Sequence, residues 1–168
     1  DGEVKPIKNN RIKELLEVLE ETDGKVIIWA VYRYDIQEIE RTLGEKYGKE
    51  SVATYYGDTK DSLRQSIVDR FMDADDPLRF FVGNPKTGGY GLTLTSSHTV
   101  VYYSNDYSLE VRLQSEDRAH RIGQTSKVTY VDLMADHTID EKIVKALNAK
   151  IDLASQVMGE DPKKILFG

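Results

Sequence analysis

The chain has 168 residues, 39% of them hydrophobic, which fits one domain with a substantial core and is too short for two lobes of about 150 residues each. Its formal net charge of -6 excludes a global basic field that would steer it to nucleic acid, so any such contact must come from a local patch. With no cysteine and three scattered histidines, disulfides, thiol catalysis and thiolate metal sites are excluded, and no metal site is expected. No signal peptide is present and no apolar run approaches the ~20 residues that span a bilayer. The expectation is therefore a soluble intracellular protein.

Residues 1–8 mix Gly, Pro and charge without a period and are expected to be a linker or terminal edge. Asn9 or Asn10 then caps a helix with Ile12, Leu15, Leu16 and Leu19 on one face, ending at Gly24. Lys25 to Tyr32 is almost continuously apolar, as in a strand of a parallel sheet buried on both faces. Asp35 with Glu38 predicts a capping-box start to a second helix, with Ile36, Ile39 and Leu43 facing inward. A strand at Val52 to Tyr56, the turn Gly57-Asp58-Thr59 and a helix with Leu63, Ile67 and Phe71 at four-residue spacing follow. Further strands are predicted at Leu78 to Val82, His98 to Ser104 and Lys127 to Met134. A helix from Leu109 to Ile122 lies between the last two. A second capping box, Thr138 and Glu141, opens a final helix with Ile139, Ile143, Leu147 and Ile151 on one face; the tail from Gly159 has no period. Strand, loop and helix alternate throughout. That is the pattern of right-handed βαβ units, so the expected fold is an α/β doubly wound, mainly parallel sheet flanked by helices.

In such a sheet ligands gather beyond the carboxyl ends of the strands. The helix from Leu109 carries Gln114, Arg118 and Arg121 at i, i+4 and i+7, so an amide and two guanidinium groups share a face suited to a polyanion. The alternative is an ordinary solvated face, in which Asp117 pairs with Arg121 and Arg112 with Glu116. The loop Asn84 to Leu94 holds Gly88, Gly89 and Gly91, which let backbone amides approach a phosphate, and Lys86 adds a mobile charge; a tight turn is the competing explanation.

The string QSEDRAHRIGQ, 114–124, closely resembles the last motif of the superfamily-two helicases in its Snf/Swi-type DNA translocase form, Gln-x-x-Asp-Arg-x-His-Arg-Ile-Gly-Gln, matching all eight specified residues. Lys86-Thr87-Gly88-Gly89-Tyr90-Gly91-Leu92-Thr93-Leu94 resembles the family's glycine motif, although Asn84-Pro85 replaces the usual Ser-Thr and Thr93 the usual Asn. VIIWAVYRYDIQEIE, YYGDTKDSLRQSIVDRF and Asp106-Tyr107 resemble further segments, so the likeness covers residues 10–155. It implies the RecA-like fold of a helicase C-terminal lobe over residues 9–158, with 159–168 as a tail. It also implies an ATP hydrolase whose other lobe holds ATP and Mg²⁺. Arg118 and Arg121 would reach the γ-phosphate, Gln114 would orient them or touch the nucleotide, and Asp117 would hold an arginine. Gly89, Gly91 and Thr93 would line the nucleotide. Lys86 and Thr87 would serve the backbone of double-stranded DNA, Thr59 and Arg64 would serve that backbone or interlobe packing, and His120 is as compatible with a structural as with a catalytic role.

No Gly-x-x-x-x-Gly-Lys-[Ser/Thr] loop and no Asp-Glu-x-His-type motif occurs in the 168 residues, so the chain cannot by itself complete a phosphoryl-transfer site. The expected partner is an N-terminal lobe of the same polypeptide, with no membrane involved. Alternatives are a strand-separating or RNA-directed motor, or a non-catalytic interaction module on the same fold. Compactness, the lack of cysteine and Asn84-Pro85 favour a cytoplasmic protein of a prokaryotic or phage-infected cell over a nuclear one.

Overall fold

A computed structural model describes residues 10–87, 93–105, 108–119, 127–133 and 145–150. Five strands form one sheet: β1 (Val26–Trp29), β2 (Val52–Tyr55), β3 (Phe80–Gly83), β4 (Thr99–Tyr102) and β5 (Thr129–Asp132). Their order is β2-β3-β1-β4-β5, and every pairing is parallel. After β3 the chain crosses to the other side of β1. The connections therefore leave the middle strand in opposite directions, and a crevice opens at the carboxyl ends.

Each strand places alternate side chains on opposite faces. Val26, Ile28, Phe80, Val82 and Val101 pack against Leu15 and Leu19 of α1 (Asn10–Glu20) and Ile36, Ile39 and Leu43 of α2 (Arg33–Tyr47). Ile27, Trp29, Phe81, Val100 and Tyr102 pack against Phe71 of α3 (Asp61–Met72) and Ala119 of α4 (Leu109–Ala119). Thus α1 and α2 cover one face and α3 and α4 the other. The doubly wound sheet expected from the alternation of elements is what forms.

Three local expectations are corrected. Asp35 does not cap α2: the N-cap is Tyr32, with no side-chain cap bond, and Asp35 is buried within the first turn. The apolar residues of α3 do not all face inward, because Phe71 is buried, Ile67 is half-buried and Leu63 stays 52% exposed. The first helix ends at Glu20, before Gly24, which takes a positive φ of 81° in the following turn. Residues 145–150 are helical with Leu147 buried; the remainder of the expected final helix, its capping box and the tail lie outside the described residues.

Candidate functional site

The carboxyl ends of the strands are stitched together by side chains of the loops that leave them. Val31, two residues beyond β1, donates its N–H to Ser104 Oγ at 2.8 Å, and its carbonyl accepts from Asn84 Nδ2 at 3.1 Å. Asn84 comes from the end of β3 and Ser104 from the end of β4. One backbone unit of the central strand is thus held from both sides of the crevice. Asn84 also shapes the following turn, accepting from the Lys86 N–H at 2.9 Å through its side chain and from the Thr87 N–H at 3.1 Å through its carbonyl. Lys86 is exposed and Thr87 half-buried. Where the resembling family usually has Ser-Thr, Asn84 thus acts as the residue that shapes the turn.

Gly88 to Leu92 lie outside the described residues, Gly89 and Gly91 among them. The loop re-enters at Thr93, half-buried, and Leu94, whose N–H donates to the Arg118 carbonyl at 2.9 Å. The exit of the glycine-rich loop is therefore tied to the last turn of α4. Arg118 itself is buried at 6% exposure, and Asp117 is half-buried. Gln114 donates to Glu110 at 3.3 Å, one turn back, so its amide is directed toward the start of α4. Leu113 is buried and Leu109 half-buried, as an anchoring pair requires. His120 and Arg121 lie outside the described residues.

Thr59 and Arg64 sit beyond β2 and together build its turn. The Thr59 hydroxyl donates to the Thr54 carbonyl and accepts from the Tyr56 N–H, both at 3.1 Å. Arg64 Nε donates to the Thr59 carbonyl at 3.2 Å, and its guanidinium lies 5.4 Å from the Tyr55 ring centre and 3.5 Å from Asp61. Beside them Tyr32 and Tyr34 stack on each other at 5.8 Å, and Arg33 pairs with Asp58.

One group at this end is held by contacts that sequence spacing passes over. Arg112 forms a fork onto Asp132 of β5, at 2.6 and 3.0 Å, and donates to Asn105 Oδ1 at 2.7 Å. Its guanidinium carbon stands 3.4 Å from the Tyr102 ring centre. The expected pair with Glu116 is also present, at 3.6 Å. Tyr102 shares a 2.7 Å hydrogen bond with Ser115 Oγ, which donates to the Arg112 carbonyl at 2.7 Å. Burial pushes the Tyr102 hydroxyl well above its ordinary range, so it remains a neutral donor. Arg112 and Asp132 are 20 residues apart on different elements, and no short-range pattern announces the pair. Among the described residues no three His, Asp or Glu side chains group as a metal site.

Comparison with known proteins bears on this geometry. Residues 7–123 match the family model described as the helicase conserved C-terminal domain. ATP-dependent helicase fft2 of Schizosaccharomyces pombe is 33% identical over 156 residues, covering 92% of this chain and 12% of that protein. Helicase SWR1 of Saccharomyces cerevisiae is 30% identical over 153 residues, covering 91% and 10%, and Protein CHROMATIN REMODELING 19 of Arabidopsis thaliana is 30% identical over 171 residues, covering 95% and 22%. The crystal structure of the C-terminal part of the Fun30 ATPase domain superposes with a TM-score of 0.74 at 26% identity, covering 83% of this chain and 46% of that one. The chain therefore spans between about a tenth and about a fifth of these full-length relatives. The relatives are eukaryotic and include a chromatin remodeller, a class of protein that works in the nucleus. That overturns the expected cytoplasmic location in a prokaryotic or phage-infected cell. Compactness, cysteine content and one Asn-Pro pair report loop length and local turn chemistry, and none of them encodes a compartment.

Proposed function

The chain belongs to the helicase conserved C-terminal domain family, in its Snf/Swi-type branch, and we propose that it is the C-terminal motor lobe of an ATP-dependent DNA translocase. The observation that carries this is the match over residues 7–123, which includes all but the last residue of the string 114–124. In the proposed mechanism an N-terminal lobe of the same polypeptide holds ATP and Mg²⁺. Arg118 and Arg121 stabilise charge on the transferring phosphoryl group. Gln114 leaves Glu110 to orient them, and Asp117 holds an arginine in place. Gly89, Gly91 and Thr93 line the nucleotide side of the cleft. Lys86 and Thr87 meet the DNA backbone, and Thr59 with Arg64 shapes the turn that faces it. Contacts to phosphate carry no base specificity.

Two features of the structure support the mechanism. The arginine helix starts at the carboxyl ends of β4 and β5, where Arg112 meets Asp132, and the Leu94 bond to Arg118 couples its last turn to the glycine-rich loop. Movement of one is then transmitted to the other.

The test is ATP hydrolysis by the full-length parent protein, with and without double-stranded DNA, in wild type and Arg121→Ala. DNA-stimulated hydrolysis that falls by a factor on the order of a thousand is expected. Hydrolysis unaffected by the substitution removes Arg121 from the chemistry. A wild type that hydrolyses no ATP with any nucleic acid returns the chain to the class of interaction modules.

A further inference from the structure

We propose that Arg112 is a positioning residue for ATP hydrolysis: gripped by Asp132 and the Tyr102 ring, it fixes the rotation of α4 and so the place from which Arg118 acts. The proposal rests on the arginine assignment made above. It concerns what holds the helix rather than what touches the nucleotide.

The apolar hold on α4 is small. Its buried residues are Leu113, Ser115, Arg118 and Ala119, so its apolar anchor is Leu113 with the half-buried Leu109 one turn before it. An apolar anchor resists separation well and rotation poorly, because dispersion contacts are non-directional. The polar contacts supply what it lacks. Arg112 is planar and forked, and it meets Asp132 with two nitrogens, at 2.6 and 3.0 Å, while its flat face lies on Tyr102 at 3.4 Å. A fork, a fixed carboxylate and a stacked ring permit one orientation. Ser115, on the next turn, takes the Tyr102 hydroxyl and adds a second fixed point.

The magnitude matters because rotation is amplified at the side-chain tips. With an α-helix radius of about 5–6 Å, a turn of about 10° displaces a tip by about 1 Å, and a misplacement of that size can cost on the order of a hundredfold in rate. Stability does not explain the arrangement equally well. The pair is largely enclosed, with side-chain exposures of 11% and 24%, and an enclosed ion pair is often matched or bettered in stability by apolar residues of similar volume. What apolar residues do not reproduce is the direction.

That difference defines the experiment, made in the full-length parent with saturating duplex DNA. Arg112→Met keeps length and contact with the Tyr102 ring but leaves Asp132 unpaired, and it should lower both Tm and kcat. Arg112→Met combined with Asp132→Leu should bring Tm back close to wild type. Its kcat should stay at least about thirtyfold low while the KM for ATP changes by less than about threefold. A double variant that regains kcat together with Tm overturns the proposal, since the pair would then be structural only. If the double variant does not fold, Arg112→Lys decides: it keeps the charge and loses the fork, and a folded protein with kcat lowered on the order of tenfold upholds the role, whereas wild-type kcat refutes it. Arg121→Ala, measured alongside, separates the two claims. Hydrolysis that survives it removes the arginine assignment itself. Hydrolysis that it abolishes, with wild-type kcat in the double variant, removes only the positioning by Arg112.

Discussion

Asp35 shows how a single buried carboxyl links the fold to pH. It lies at 2% exposure in the first turn of α2, and burial raises its pKa from an ordinary 3.8 to about 6, with Glu38 adding to the rise and Arg11 opposing it. Arg11 reaches across from α1 to donate to the Tyr103 carbonyl at 3.1 Å, so its charge is shared with a second task. A raised pKa means that the folded state holds the proton more tightly than the unfolded state. The associated stability is fully present below about 3.8 and is lost as pH rises through about 6. At neutral pH the ionised carboxylate is then a liability, of up to about 3 kcal/mol for a shift of about two units. Asp35→Asn should be more stable than wild type by about 1–3 kcal/mol at pH 8 and close to it at pH 4. Urea denaturation across that range checks it. Parallel stability curves for the two proteins would assign the pH dependence to another group.

At the scale of elements the sheet is set by close approach of its strands at the end that carries the crevice. Gly83 closes β3 between Trp29 and Tyr55, its register partners. A Cβ there would meet the Tyr55 carbonyl oxygen at 2.8 Å, Trp29 Cζ3 at 3.1 Å and Phe81 Cε1 at 3.2 Å. The nearest of these is backbone and cannot rotate away. Gly83→Ala should therefore cost about 1–3 kcal/mol, and by size scaling lower Tm by about 2–12 °C, without abolishing the fold. A melting temperature unchanged within about a degree would mean that β2 and β3 have room to separate. Nothing in the sequence distinguishes this glycine from one in an ordinary turn, because the crowding comes from strands 28 and 54 residues away in the chain. What could be read beforehand was local: the apolar runs of β1 and β4, the Leu109 and Leu113 anchor, and the motif string in α4. What could not be read depended on pairing across the fold. Arg112 shows the same limit. Its partner at i+4, Glu116, was visible, whereas Asp132, Asn105 and the Tyr102 ring come together only once β4 and β5 lie side by side. Asp35 failed as a cap for a related reason, since α2 begins at Arg33 and places Asp35 inside the first turn.

At the scale of the whole molecule, the proposed function gives the 168 residues one side of a reaction site. Arginines can stabilise a transferring phosphoryl group only when its oxygens are presented about 3 Å away, and here Arg118 lies buried at the end of α4, its carbonyl bound to Leu94. The sequence has no phosphate loop to fix the β- and γ-phosphates, and among the described residues no cluster of carboxylates is available to magnesium. The net charge of -6 adds no general attraction for ATP or DNA. We therefore expect the isolated 168-residue chain to hydrolyse no ATP above background, with or without duplex DNA, while the full-length parent does so in a DNA-stimulated way. Phosphate release from both proteins under one set of conditions checks this, with Arg118→Ala made in each. Hydrolysis by the isolated chain that disappears with Arg118→Ala would show that it carries a complete site of its own, and the division of labour between two lobes would have to be abandoned. Activity confined to the parent and lost with the same substitution would instead place the arginine on the chemistry only when the second lobe supplies the phosphate.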